Sequence, residues 1–150
     1  MLGGAPMLNL SADPGSFPFA SKYLLLPPNT KMMLGSDLSA IPPRIASATN
    51  GWFSPLTQQQ DGKPISISPL PLNICHAEIW FENGQAWIQD LESAFGTFVN
   101  DKKIQKETVL KTGDVITLGI AIQRNVNTPV DITDDHLKPI IAKVSILKSS

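Results

Sequence analysis

The sequence predicts an all-β sandwich, and three observations predict it. Short runs of alternating or β-branched residues recur along the second half of the chain. Turn residues such as Asn83-Gly84 and Lys111-Thr112-Gly113-Asp114 separate them at short intervals. No stretch combines a helical apolar period with capping residues. A chain of 150 residues, 42% of them hydrophobic, is long enough for one domain with a buried core.

Taken in order, residues 1–16 are small, polar or rich in Pro and Gly, and are expected to form a mobile arm. The domain is placed at 17–148, opening on Phe17 and Phe19. Residues 22–26 read as a strand, the Pro27-Pro28-Asn29-Thr30 segment as a turn, and 31–34 as the returning strand. Residues 36–65 hold Pro42-Pro43, Asn50-Gly51, a Gln58-Gln59-Gln60 tract and Gly62, and read as one long loop. Trp52 and Phe53 suggest that part of this loop packs back on the body, and 65–68 alternate as a short strand does.

From Leu72 the pattern is regular. Residues 77–81 and 85–91 make a hairpin about Asn83-Gly84, followed by short strands at 97–100, 102–104, 108–110 and 115–118. Strands at 121–126 and 140–147 complete the set. Ile79, Ile88, Val99, Ile116 and Leu118 are expected to share the core with at least one of Trp80 and Trp87.

Composition excludes several classes. The formal net charge is -1 and the basic residues are scattered, so no basic field for nucleic acid is present. Cys75 is the lone cysteine, which fits a reducing compartment. No apolar run approaches a membrane span, and the start does not read as a signal peptide. A cytoplasmic location is expected, with the nucleus or the cytosolic face of a membrane as alternatives. The strand pattern runs almost to the Ser-Ser end, as in a piece of something longer.

Four blocks then occur in order: His76-Ala77-Glu78-Ile79, Asp90-Leu91-Glu92-Ser93, Gly96-Thr97-Phe98-Val99-Asn100 and Leu110 to Gly119 around Gly113-Asp114. In kind and spacing they resemble the signature of forkhead-associated (FHA) domains. The resemblance covers roughly residues 22–147 and implies an eleven-stranded antiparallel β-sandwich. It also implies a non-catalytic module that binds phosphothreonine peptides through loops at one end, without a cofactor. In such domains the histidine matching His76 braces the binding loops. Independently, Gly96 and Gly113 suit turns that a side chain would strain, and Asp114 suits a tight turn's amides.

The departures from the pattern concern the pocket. The phosphate-binding arginine of the family follows a glycine, and here that site reads Gly35-Ser36. A serine hydroxyl does not replace a bidentate guanidinium. Asn73 stands at the family's second phosphate ligand, Ile74 follows it, and Phe95 replaces the asparagine that grips the peptide backbone. Ser93 and Ala94 complete the candidate end loops. Two readings follow. Phosphate binding persists through substitute donors such as Arg44 or Lys31, or the end loops make a phosphate-independent protein contact, a homodimer included. Phe95 has a third, plainer place, packed inward against Trp52 and Phe53.

The layout after Gly119 and the long loop before His76 are similar to FHA domains of the sarcolemmal membrane-associated protein and fungal Far9/Far10-type components of the striatin-linked (STRIPAK) assembly, which implies a scaffold role in signalling. Catalysis is not expected. His76, Asp90 and Ser93 already have places in the binding-module pattern, no nucleophile elbow is present, and His76 and His136 lack metal-ligand spacing.

Overall fold

Alternation of inward and outward side chains builds two sheets, described by a computed structural model over residues 5–36, 45–60 and 62–148, with 57–60 and 63–65 as backbone alone. The strands are β1 Met7–Ala12, β2 Lys22–Leu25, β3 Lys31–Ser36, β4 Trp52–Phe53, β5 Leu56–Gln60, β6 Lys63–Ile67 and β7 Ala77–Glu82. They continue as β8 Gln85–Asp90, β9 Thr97–Val99, β10 Lys102–Lys103, β11 Thr108–Leu110, β12 Val115–Leu118 and β13 Ile140–Leu147. One 3-10 turn, Asp134–Leu137, precedes β13. Among the described residues no helix is long and apolar enough to cross a membrane.

Six strands form one sheet in the order β10-β9-β12-β13-β1-β2, and five form the other in the order β11-β8-β7-β3-β4. The two sheets hold six and five strands, and the β5–β6 hairpin brings the total among described residues to thirteen, more than the eleven implied by the resemblance. Neighbours run antiparallel except β3 and β4, which pair in parallel through Gly35–Trp52 and Ser36–Phe53. Leu8, Leu10, Leu24, Ile116, Leu118 and Ile140 from one sheet meet Leu34, Ile79 and Ile88 from the other, all fully buried. Each such side chain contributes about 1.5–3 kcal/mol by leaving water. Trp80 and Val99 are also buried, while Trp87 is half-buried.

Three expectations need correction. Residues 1–16 are not simply an arm: Met7–Ala12 is hydrogen-bonded between β13 and β2, with Leu8 and Leu10 in the core. The stretch 36–65 is not one loop, since Trp52–Phe53, Leu56–Gln60 and Lys63–Ile67 are strands; residues 37–44 lie outside the described residues. Residues 121–126 form no strand. Arg124 instead pins the segment by donating to Asp134 Oδ1 at 3.0 Å and to the Ile132 carbonyl, and Val126 is 99% exposed.

Register puts the motif blocks at one end. Ala77 pairs with Leu34 and Asp90, and Leu118 pairs with Thr97 and Ile140. Met7 pairs with Leu147 at the opposite end, where Lys148 Nζ donates to the Gly84 carbonyl at 2.9 Å.

Candidate functional site

His76 sits just before β7 and is fully buried. The Asn73 amide donates to its Nδ1 at 3.1 Å, which makes Nδ1 the acceptor nitrogen. Nε2 then carries the proton and donates to the Gly96 carbonyl at 2.9 Å. The same carbonyl accepts from the Gly119 amide at 2.9 Å. One neutral imidazole thus ties the 73–76 loop to the 91–96 loop. Burial lowers its pKa below the ordinary value, and the Gly96 carbonyl and the Asp90 charge only partly oppose this.

The 91–96 loop is braced from within. Asp90 Oδ1 accepts from Ser93 Oγ at 2.5 Å and Thr97 Oγ1 at 2.6 Å, and Oδ2 accepts from the Ser93 amide at 3.1 Å. Ser93 Oγ in turn accepts from the Gly96 amide at 2.9 Å. Burial disfavours the Asp90 carboxylate, but the bonds from Ser93 and Thr97 outweigh it, so its pKa lies below the ordinary value. Both nitrogens of His76 are taken by other groups, so no imidazole bonds to Ser93. The three residues form a brace rather than a nucleophile with its base. At the opposite end Asn100 and Asp114 brace a second corner: Asn100 Nδ2 donates to Asp114 Oδ1, and the Val115 amide donates to Asn100 Oδ1, both at 2.9 Å. Asp114 Oδ2 also accepts from the Lys111 amide, and the Gly113 amide donates to the Val144 carbonyl.

Gly35 and Ser36 end β3 under the 73–76 loop. A β-carbon at Gly35 would lie 1.9 Å from the Ile74 carbonyl oxygen, so only glycine permits this approach. Ser36 is not an open ligand position. It is 2% exposed, its amide donates to the Asn73 carbonyl, and its hydroxyl meets Ser68 Oγ at 3.1 Å. Ser68, just beyond β6, is itself buried. Asn73 accepts at Oδ1 from the Ala94 amide at 3.3 Å, and its Nδ2 has no partner among the described residues. Ala94 is exposed.

The candidate donors behave differently. Arg44 lies outside the described residues. Lys31 starts β3, at the end away from Ser36, where it pairs with Glu78 at 3.5 Å and sits 4.4 Å over the Trp80 ring. Phe95 is not packed inward: it is 37% exposed, while Phe53 is buried edge-to-face against Phe19. Ile74, Leu70 and Ile120 are 48%, 45% and 45% exposed. They belong to the same end. Gly119, beside Ile120, bonds to Gly96 beside Phe95, and a β-carbon on Gly119 would strike Pro71 beside Leu70 at 2.6 Å.

Sequence reasoning missed three residues. Ser68 carries no signal that it would face Ser36 across 32 positions. Lys22 reads as an ordinary surface lysine yet is buried, and Nζ donates to the Ser47 and Trp52 carbonyls at 2.8 and 2.7 Å, anchoring the 45–53 segment. Lys103, on β10, lies along Gly96. Only the proximity of β10 to the Gly-Thr block hinted at its place.

Residues 72–119 match the family model for the FHA domain, the segment that carries the two braced loops. No curated protein matches the chain by sequence. Among solved structures the chain is similar to the FHA domain of an Arabidopsis thaliana hypothetical protein, at 18% identity and a TM-score of 0.56, covering 100% of this chain and 95% of that one. It is also similar to the yeast splicing factor Pml1, at 18% identity and a TM-score of 0.55, covering 97% and 83%. A third likeness is to the FHA domain of the CT664 protein from Chlamydia trachomatis, at 17% identity and a TM-score of 0.52, covering 97% and 98%. The fold is the FHA sandwich, and the FHA-matching segment carries His76, Asp90 and the 91–96 loop of the candidate site.

Proposed function

We propose that this chain is a protein-interaction module of FHA type that uses its loop end for a phosphate-independent contact, in a scaffold role in signalling. One observation carries the reading. The arginine position is a serine turned inward onto Ser68, while Leu70, Ile74, Phe95 and Ile120 face solvent around it. A hydrogen bond to a charged group contributes about 1.5–3 kcal/mol, so losing an arginine fork weakens phosphopeptide binding roughly 10- to 150-fold. An exposed apolar cluster at a braced, rigid end is the surface a protein partner buries. The likeness to the sarcolemmal membrane-associated protein and fungal STRIPAK components is the finer form of this proposal and rests on layout.

A second reading keeps phosphothreonine as the ligand. One similar solved structure, at 18% identity and a TM-score of 0.51, is described by its phosphothreonine-dependent FHA interactions. The unpartnered Nδ2 of Asn73 favours it here as a remaining donor. The test is a titration of phosphothreonine peptides beside their unphosphorylated twins. Equal affinities, with binding lost in Phe95→Ser, support the interface. Micromolar binding of the phosphorylated form alone, abolished by Arg44→Ala, supports the second reading. The same variants in sedimentation distinguish a second copy of this chain from another protein.

A further inference from the structure

The rim of this end carries a cation that the apolar contact does not use. Lys103 pairs with Phe98 across β9 and β10, on the outer face of the six-stranded sheet. Its stem runs diagonally to Gly96, where a β-carbon would lie 2.8 Å from Lys103 Cε and 3.4 Å from Cδ. Same-face diagonal neighbours on a sheet are within reach of a long side chain. Here that diagonal leads to the loop holding Phe95. Gly96 has a φ of +90°, and its bare α-carbon is what the stem lies on.

Four lysines elsewhere in the fold have their ammonium engaged, whereas Lys103 shares an open ammonium with other surface lysines and differs from them in where its stem lies. Lys22 holds two carbonyls, Lys31 pairs with Glu78, Lys138 with Asp135, and Lys148 with the Gly84 carbonyl. Lys103 is exposed and has no partner for its ammonium among the described residues. Lys102 and Lys106 are exposed near it in the chain, and no carboxylate among the described residues forms an ion pair with it. The plain role for lysines on an edge strand is to repel a further strand. That role does not require a stem laid toward the site loop.

We propose that this end takes a partner's peptide segment in which an acidic group stands next to an apolar side chain. The acid meets Lys103 Nζ, and the apolar side chain meets Phe95 and Ile120. An ammonium takes a carboxylate or a phosphoester alike, as a point charge without a fork's geometry. The inference rests on the interface reading above and adds the partner's chemistry to it.

The experiment uses the full chain and an array of synthetic peptides that set Asp or Glu beside Leu, Ile or Phe. Each peptide is paired with its Asn or Gln twin and with a phosphothreonine twin, and hits are titrated by fluorescence. Acidic peptides are expected to bind about 5- to 10-fold more tightly than their amide twins, the scale of one partly exposed charged contact. Lys103→Met keeps the stem and removes the charge, so it brings that ratio to about one. A phosphothreonine preference that Lys103→Met also erases supports the inference with phosphate as the anion. An array without hits, or a ratio that survives Lys103→Met, overturns it. If Phe95→Ser abolishes binding while Lys103→Met changes nothing, the interface reading stands and the inference falls. If neither variant changes binding, both fall.

Discussion

The two ends of the sandwich are braced in the same way and finished differently. At one end His76 and Asp90 saturate the turns with hydrogen bonds; at the other Asn100 and Asp114 do so. The hydrogen bonds of the Asn100 corner are exposed. The His76 corner is buried beneath a rim of Leu70, Ile74, Phe95 and Ile120. A frame built alike at both ends, with exposed apolar residues around one of them, separates what holds the loops from what the loops present. The brace positions loops, and the side chains outside it decide what those loops touch.

The largest effect tests the core both ends share. Ile116 is fully buried between Val99 on β9 and Ala142 on β13. Ile116→Ala is expected to cost about 2–5 kcal/mol in chemical denaturation, and to weaken both ends together. A cost under about 0.5 kcal/mol would mean that the site is not held by this core. Ser36→Arg comes next. It forces a long charged side chain into the buried space beside Ser68, with an expected loss of roughly 1–3 kcal/mol from overpacking alone. If it folds at wild-type stability and gains phosphopeptide affinity, position 36 does not face inward onto Ser68.

A matched pair then compares the braces directly. His76→Ala removes two buried hydrogen bonds and leaves a cavity, for roughly 2–3 kcal/mol. Asn100→Ala removes exposed bonds at a residue with a φ of +51°, for roughly 1 kcal/mol. Partner binding should fail in the first variant at temperatures where it is still folded, and persist in the second. Equal effects on binding would erase the distinction between the ends.

The sequence made some of this legible and hid the rest for physical reasons. Turn residues at fixed offsets from Asn83-Gly84 to Gly113-Asp114 reveal strands that are local and regular, and Val115–Leu118 needs no further information. Met7–Ala12 also alternates, with Leu8 and Leu10 buried, but prolines and glycines on both sides masked the period. At 121–126 the apolar and polar residues suggest a strand, yet the Arg124 contacts to Asp134 and Ile132 hold a loop instead. Ser36, Lys22 and Lys103 depend on partners 32, 25 to 30 and 7 positions away, and no local pattern encodes such pairings.

The smallest expected effect lies in pH, and it separates the buried brace from the rest. His76 has a folded pKa below its ordinary 6.5, because burial disfavours the imidazolium. The unfolded chain therefore binds the extra proton first. The stability this group contributes is fully present above about pH 6.5 and declines as pH falls below it. Protonating Nδ1 also turns the acceptor of the Asn73 amide into a donor, so the 73–76 loop loses its anchor in the same window. Asp90 has its pKa lowered too, and its contribution is lost only as pH falls below its ordinary 3.8. His136 complicates the upper window. Burial lowers it as well, against the Asp135 charge and the Leu56 backbone, and the Thr133 amide donates to its Nδ1 at 3.0 Å. Denaturation midpoints between pH 7 and 5 should fall in the wild type, less in His76→Gln, and least when His136→Gln is added. Partner affinity should follow His76 most strongly, since its ring ties the 73–76 loop to the 91–96 loop, with a smaller part from His136, whose carbonyl holds the Leu70 amide. If His76→Gln leaves the slope of midpoint against pH unchanged, the imidazole is not the neutral brace described, and the stiffness assigned to this end loses its cause.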